Sequence, residues 1–339
     1  MRLKVLVALF AATSTLAVCN IPKSAALPVT DSISSSSLEP KSLPQVQLLQ
    51  VLSGHENSVN SVVLSPDGKT LISNSTDTTM KVWNLRDGSQ LRTVRGLSGV
   101  TSVLALTPDG KTLATAGGGN IDLWNLEKGE RIRSLRGHEG AVRSLAITPD
   151  GKTLVSASLD KTIKLWDLQT GNQVGTLTGH SDWVTAVAIS PDGGTIVSGS
   201  SGTEQSIKIW DLRTRKLQQT IPRQAGEINA IAFSPNGQTF AATIDKNVRV
   251  WELKSGKELH TLRGHSSKVL SIAFSPDGET IATAGSDQNI KLWDIGTGKL
   301  LHTLTGHSGW IWSIAISPDG QTLVSGSDDN TVRIWKAFN

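Results

Sequence analysis

The 339-residue sequence contains no tyrosine, a single cysteine, two methionines and only 4% aromatic residues. One cysteine can form neither an intramolecular disulfide nor a cysteine-based zinc site, because both need partners. With 18% charged and 37% hydrophobic residues, the chain is too apolar for wholesale disorder and long enough to bury a large core. The composition therefore excludes a disulfide-stabilised module and a disordered chain, and favours a globular protein.

Residues 1–26 have the composition of a targeting segment. Arg2 and Lys4 give it a positive start, and an apolar run follows as far as Val18. This run is too short to span a bilayer and is typical of a secretory signal peptide. The other interpretation is a bacterial lipoprotein signal ending at Cys19, which would then be lipidated, although Val18 fits that motif poorly. Either signal predicts export to the periplasm or another extracytoplasmic compartment.

Residues 27–45 are rich in serine and proline, which predicts a flexible tether. The first 26 residues also account for most of the net charge of +4. Removing their three basic residues from 33 Lys and Arg against 29 Asp and Glu leaves +1. Charge therefore gives no reason to expect nucleic-acid binding. No later segment is apolar enough to span a membrane, so we expect membrane association only through a lipidated Cys19.

One tryptophan recurs seven times, at intervals of 41 to 44 residues. The seven positions are Trp83, Trp124, Trp166, Trp210, Trp251, Trp293 and Trp335. Self-similarity at a fixed period is the signature of a repeat architecture. Units of this length fill residues 46–339, so no second domain is expected.

The third unit shows the internal pattern. It opens with Gly137-His138, and its short β-branched and apolar runs are separated by turns rich in Pro, Asp and Gly. The runs are Val142 to Ile147, Leu154 to Ser158, Ile163 to Trp166 and Gln173 to Leu177. Four such strands predict a small antiparallel sheet, and because one sheet cannot bury both faces alone, neighbouring sheets must stack.

Gly-His, a turn Asp and a Trp-Asp pair in repeats of this length resemble the WD-repeat β-propeller family. The Trp-Asp pair itself is present at Asp167, Asp211 and Asp294. The resemblance implies an all-β, seven-bladed propeller with four-stranded antiparallel blades, and with the targeting segment it suggests an exported bacterial type. Residues 47–55 match the pattern of residues 299–307, so we expect the N-terminal piece to supply the outer strand of the last blade and close the ring.

A set of His, Ser or Thr, Asp and Trp recurs in four units. The sets are His55, Ser73, Asp77 and Trp83; His138, Ser156, Asp160 and Trp166; His265, Thr283, Asp287 and Trp293; and His307, Ser325, Asp329 and Trp335. A Ser-His-Asp set is one way to activate a nucleophile. Four copies of one active site in one domain argue against catalysis, and the resemblance implies instead a buried hydrogen-bond chain that holds each Gly-His loop to its blade.

Three units depart from this pattern. In unit two Leu97 replaces the histidine, and unit four carries Glu204 at the Asp position. Unit five lacks Gly-His but keeps Asp245 and Trp251. We expect the loops of blades two and five to be held less tightly. No unit has a second histidine at metal-ligand spacing, and there is no P-loop, so no metal or cofactor is predicted.

In the resembled family, partner contacts cluster on the face built by the Gly-His loops and the turns that carry Asp. The three tryptophans outside the repeat position, Trp183, Trp310 and Trp312, all follow a Gly-His pair. Exposed tryptophan is a typical binding anchor, although Trp312 on the innermost strand could instead fill the channel or the gap between blades. Comparable positions hold Arg143, Lys268 and Asp328, which would form a polar rim.

Two functions are compatible with these features. The first is a non-catalytic, monomeric scaffold that presents one propeller face to a protein or peptide partner. The alternative is a small-ligand or carbohydrate-binding protein, or an enzyme, that uses the central channel, since tryptophan stacks well on sugar rings.

Overall fold

The computed structural model describes residues 13–14, 46–97 and 102–336. Both predicted processing sites, the tether and Cys19 lie outside the described residues. Within them the fold is all-β, and seven four-stranded antiparallel sheets form the blades of a ring. The predicted seven-bladed β-propeller is therefore confirmed. No described helix is long and apolar enough to cross a membrane.

The four strands of each blade run from the central channel outwards. The innermost strands are Val59–Leu64, Val103–Leu106, Val142–Ile147, Val184–Ile189, Ile231–Phe233, Val269–Phe274 and Ile311–Ile316. The second strands are Thr70–Ser75, Thr112–Ala116, Thr153–Ser158, Thr195–Ser200, Thr239–Ile244, Thr280–Gly285 and Thr322–Ser327. The third strands are Met80–Asn84, Asn120–Asn125, Ile163–Asp167, Ile207–Asp211, Asn247–Glu252, Ile290–Asp294 and Thr331–Lys336. The outer strands of blades 1 to 6 are Gln90–Val94, Glu130–Arg136, Gln173–Leu177, Leu217–Ile221, Glu258–Arg263 and Leu300–Leu304.

The core lies between blades and not within them. In the cluster between blades 2 and 3, Trp166 packs with Val103 and Ile121 of the preceding blade. An equivalent cluster, with its own repeat tryptophan, lies at each of the other six interfaces. The repeat tryptophan is therefore buried because it carries a large apolar surface to the joint between neighbouring sheets.

The outer strand of blade 7 is Gln47–Ser53, which pairs antiparallel with Thr331–Lys336. Its Leu52 packs in the cluster between blades 7 and 1, beside Val59 and Trp83. The predicted closure of the ring by an N-terminal strand is confirmed. Both ends of the repeat region thus build one blade.

The chain crosses each blade in the same direction, so the propeller has two distinct faces. The loops that begin with Gly-His and the turns between second and third strands lie on one side, which we call the Gly-His face. The turns between innermost and second strands lie on the opposite side, where Gly151 N–H donates to Thr148 O at 2.8 Å with φ of +71°. We call this side the Pro-Asp-Gly face.

A two-residue strand, Thr13–Ser14, pairs in parallel with Ser144 and Leu145 of the innermost strand of blade 3. It also lies beside the innermost strands of blades 1, 2, 6 and 7, and therefore within the central channel. These two residues are the described part of the expected targeting segment.

Candidate functional site

In blade 3 the four recurring side chains form one hydrogen-bonded chain. Trp166 Nε1–H donates to Ser156 Oγ at 2.8 Å, and Ser156 Oγ lies 2.7 Å from His138 Nε2. His138 Nδ1 lies 2.7 Å from Asp160 Oδ2. Because an ionised carboxylate only accepts, Nδ1 carries the proton and Nε2 accepts from the serine hydroxyl.

The same chain is built in blades 1, 6 and 7, from the residues that the sequence analysis grouped, with distances of 2.7 to 2.9 Å. Blade 4 completes it as well. There Glu204 replaces the aspartate, and its Oε2 lies 2.9 Å from His180 Nδ1. His180 Nε2 and Trp210 Nε1 each lie 2.8 Å from Ser198 Oγ. Among the described residues, five blades therefore contain this hydrogen-bonded chain, whereas four sets were grouped from the sequence.

The carboxylate of each chain also joins two loops. Asp160 Oδ2 accepts the Glu139 amide at 3.1 Å, which holds the Gly-His loop. Asp160 Oδ1 accepts Thr162 N–H at 2.9 Å and Thr162 Oγ1–H at 2.7 Å, which fixes the turn between second and third strands. The chain thus orders the Gly-His face from inside the blade.

The pKa values of these groups are shifted in a consistent way. Burial lowers the pKa of His55, His138, His180 and His307 below the ordinary value of 6.5. Burial alone would raise the pKa of Asp77, but hydrogen bonds from Thr79, His55 and the Glu56 amide lower it to about 2. Burial would likewise raise the pKa of Glu204, but its charge interaction and hydrogen bond with His180 lower it to about 2. These four histidines are therefore neutral, and Asp77 and Glu204 are ionised, near neutral pH.

The buried hydroxyl is poorly placed for nucleophilic attack. Ser156 is fully buried, and its oxygen is already engaged by the indole N–H and the imidazole. The hydroxyl-bearing residues of the other four chains are equally buried. A nucleophile must reach the reacting atom, so this geometry fits a structural network.

Among their described residues, blades 2 and 5 lack the hydrogen-bonded chain of the other five blades. In blade 2, Trp124 Nε1–H donates to Thr115 Oγ1 at 3.0 Å and Leu97 is buried, whereas residues 98–101 lie outside the described ranges. In blade 5, Trp251 stacks on Phe240 with ring centroids 5.2 Å apart. Asp245 there accepts the Glu227 amide at 3.2 Å. The departures seen in the sequence thus correspond to fewer hydrogen bonds into the loops.

Trp312 is buried, with an exposed fraction of 3%, and packs against Leu270 of the neighbouring blade. Its Nε1–H donates to Asp328 Oδ1 at 2.6 Å, and its ring meets Trp310 edge-on at 5.4 Å. Of the two interpretations of Trp312, the exposed partner anchor is wrong and the filler of the gap between blades is confirmed, because Leu270 of the adjacent innermost strand packs against its indole ring. It instead supports Trp310, and Asp328 is engaged by its indole N–H.

Trp183 and Trp310 are exposed on the Gly-His face, at 41% and 44%. They belong to blades 4 and 7, so they flank the channel mouth from opposite sides and do not form a cluster. The backbone carbonyl of each accepts an amide from its own blade at 2.9 Å. Beside Trp183, Asp182 accepts the Thr203 amide at 2.7 Å and the Trp183 amide at 2.9 Å, which fixes the loop.

A small pocket of about 20 Å³ lies next to Trp183, where blades 3, 4 and 5 meet. It is lined by Arg143, Leu159, Trp183, Thr185, Ser201, Glu227 and Asn229. Arg143 is only 9% exposed, and burial lowers its pKa to about 10, so it remains cationic at neutral pH. Arg143 was expected to belong to a polar rim, and it is not a solvated charge there, since its side chain is buried and lines the pocket.

Lys268 is exposed, as expected of a rim residue, and its Nζ lies 2.6 Å from Glu227 Oε2 of the preceding blade. Sequence reasoning missed Glu227, Asn229 and Thr185 as pocket residues. In the repeat, Thr185 and Asn229 occupy the position of Arg143, and Glu227 occupies that of Lys268. These equivalences would have pointed to them. Within the described ranges, no group of three His, Cys, Asp or Glu side chains could hold a metal ion.

Comparison with known proteins identifies the repeats. The family model "WD domain, G-beta repeat" matches residues 46–84, 256–294 and 298–336. The model "IFT122 first beta-propeller" matches residues 99–243.

Two curated relatives share short segments with this chain. The nuclear distribution protein PAC1 of Tuber melanosporum is 41% identical over 66 residues, which is 19% of this chain and 15% of that protein. An uncharacterized WD repeat-containing protein of Synechocystis sp. is 35% identical over 68 residues, which is 20% of each. The matched segments thus span a fifth or less of either relative. The family models and the blade geometry agree that this chain is a seven-bladed β-propeller containing WD40 repeats.

Proposed function

We propose that this protein is a non-catalytic scaffold that binds a protein or peptide partner on its Gly-His face. WD40 propellers are in general protein-interaction scaffolds. The buried hydrogen-bond chains give the face a fixed shape, so that little conformational entropy is lost when a partner binds.

The exposure of Trp183 and Trp310 carries the proposal. Among the described residues, every other large hydrophobic side chain that is exposed belongs to an outer strand at the circumference of the ring. The Gly-His face therefore holds the two exposed tryptophans, both on loops ordered by hydrogen bonds. Tryptophan is enriched among the residues that contribute most to binding energy, because it buries a large rigid surface at low entropy cost.

The test compares two double variants in a pull-down from the compartment that holds the protein in its host. Trp183→Ala with Trp310→Ala removes the two anchors, whereas Leu91→Ala with Leu300→Ala removes side chains on outer strands that are at least as exposed. We expect the first variant to lose partners that the wild type and the second variant retain. Identical partner sets for all three proteins would contradict the assignment of the binding face.

We further propose that the protein is exported and that residues 1–26 act as its signal. Cleavage would remove Thr13 and Ser14 and leave the adjacent wall of blade 3 open to the channel. Intact mass of the protein from its host tests this. We expect a chain that begins near residue 27 or, if Cys19 is lipidated, at a modified Cys19. A cytoplasmic chain that retains residues 1–26 would refute export.

A further inference from the structure

Trp310 ends the Gly-His loop of blade 7, and its exposed ring is supported by the buried ring of Trp312. The two rings meet edge-on, with an interplanar angle of 64° and centroids 5.4 Å apart. Trp312 itself is fixed by its packing on Leu270. The Trp310 carbonyl also accepts the amide of Asp328 at 2.9 Å. The exposed indole is therefore held in place before a partner arrives, which reduces the entropy lost on binding.

Asp328 places a carboxylate beside this pair of rings. Trp312 Nε1–H donates to Asp328 Oδ1 at 2.6 Å, so one indole contacts both the carboxylate and the ring of Trp310. Among the described residues, no group donates a hydrogen bond to the second oxygen, Oδ2, and no cation forms an ion pair with it. The side chain of Asp328 is partly exposed. A carboxylate has about four lone-pair sites, so Asp328 can still accept hydrogen bonds from a partner.

The other charges of this region are already paired. In blade 6, Lys268 Nζ lies 2.6 Å from Glu227 Oε2 of blade 5, so the ammonium is directed away from blade 7. Within blade 7, Asp329 Oδ2 lies 3.9 Å from Arg333 Nη2. These two pairs each sum to zero. Asp328 therefore contributes a net negative charge next to the exposed tryptophan.

We propose that Trp310 and Asp328 bind a basic side chain of the partner, an arginine or a lysine, with its cation beside the indole ring and a hydrogen bond to Asp328 Oδ2. The inference deepens the proposed function and rests on it. The face of a tryptophan ring attracts cations, and a carboxylate forms its strongest hydrogen bonds with charged donors. Arginine and lysine side chains only donate, whereas a sugar hydroxyl also needs donors, which this carboxylate does not offer.

The experiment selects a displayed library of random twelve-residue peptides on the purified wild-type protein. The best peptide is then synthesised in two forms. One keeps its basic residue, and the other carries citrulline in place of arginine, or acetyl-lysine in place of lysine, which removes the charge and keeps most of the shape. Both peptides are titrated by calorimetry on the wild type and on three variants.

The variants separate the carboxylate, the ring and the general charge of the face. Asp328→Asn removes the charge and leaves an oxygen that can accept the Trp312 indole N–H. Trp310→Leu keeps an apolar side chain without an aromatic ring. Glu139→Gln is the control, because Glu139 is exposed on the Gly-His loop of blade 3, across the ring from blade 7. Each variant is first compared with the wild type by thermal melting.

We expect the wild type to enrich arginine or lysine at one peptide position, and to bind the neutral copy about 10- to 100-fold more weakly. Asp328→Asn should lower this preference about 10-fold, because the hydrogen bond loses its charged acceptor. Trp310→Leu should lower it about 2- to 30-fold through loss of the cation–π interaction. Glu139→Gln should leave it within about 2-fold, since distant exposed charges are screened.

Peptides without basic enrichment, or a preference that Asp328→Asn and Glu139→Gln lower equally, would overturn the inference and leave the scaffold proposal standing. Should Asp328→Asn melt well below the wild type, Trp310→Leu decides the matter, and an unchanged preference for the charged peptide in that variant would overturn the inference. If no peptide bound the wild type, while the pull-down still depended on the two exposed tryptophans, this inference alone would fall. Failure of both experiments would overturn both proposals.

Discussion

Replacement of one turn aspartate should test the hydrogen-bond chains directly, because blades 3 and 5 provide a matched pair. Asp160 accepts hydrogen bonds from His138 Nδ1, the Glu139 amide, and the amide and hydroxyl of Thr162. Asp245, at the same place in blade 5, accepts the Glu227 amide at 3.2 Å. Asparagine is nearly the same size as aspartate, so Asp160→Asn and Asp245→Asn change charge and acceptor count but little else.

The expected magnitude follows from the number of donors that lose an acceptor. In Asp160→Asn one oxygen can still accept two bonds, but the amide nitrogen faces two donors, and the site is nearly buried. An unsatisfied buried donor costs about 1 to 3 kcal/mol, so we expect a loss of about 3 kcal/mol. In Asp245→Asn the single oxygen can keep its one bond. We expect this variant to lose less than about 0.5 kcal/mol of stability, since replacing a side chain with few partners changes stability little.

Urea unfolding followed by tryptophan fluorescence measures the difference. With an m-value of about 3 kcal/mol/M, a loss of 3 kcal/mol lowers the midpoint by about 1 M. A double-mutant cycle with His138→Gln would then separate the pairwise interaction from the loss of charge. Equal midpoint shifts for the two asparagine variants would refute the view that the hydrogen-bonded chain of blade 3 holds its Gly-His loop.

Two further predictions follow from the same structure. Stability should fall as the pH drops from 7 to 5, because burial lowers the pKa of His55, His138, His180 and His307 in the native state and the unfolded chain therefore binds protons first. Each histidine contributes a loss of up to about 1.4 kcal/mol for each pH unit below its ordinary pKa. A urea midpoint that does not change over this range would contradict the prediction. In the closing strand, Leu52→Ala should cost about 2 to 4 kcal/mol because Leu52 packs in the core between blades 7 and 1, whereas Val51→Ala, at a 41% exposed site one residue away, should change thermal stability by less than about 0.5 kcal/mol. Similar losses of stability for both variants would contradict the view that the buried side of this strand holds it in the ring.

The fold could be predicted because each unit repeats the same turns and the same buried positions. The match between residues 47–55 and 299–307 was enough to place the closing strand, since a blade with three strands needs a fourth. Glu204 was placed at the Asp position from the sequence. Its contact with His180 could not be predicted, because the turn that carries Glu204 is two residues longer than that of blade 3 and the sequence does not state its conformation.

The site was harder to predict, because burial at the channel mouth depends on side chains from other blades. Trp312 is covered by Leu270, which lies 42 residues earlier in the chain. Arg143 is enclosed by residues of blades 4 and 5, among them Trp183 and Asn229. Periodicity identifies which residues reach the mouth, but only the packed ring decides which of them remain exposed.

The direction of the closing strand has a consequence for how the protein would be oriented. Gln47 pairs with Lys336 at the start of the strand, and Ser53 leads directly into Gly54 and His55. Seven residues of strand span about 20 Å, so residue 46 enters the ring on the Pro-Asp-Gly face, a full blade height from the tryptophans. Any attachment through the segment before residue 46 would therefore be made on the face opposite Trp183 and Trp310, so that it leaves both tryptophans uncovered for a partner.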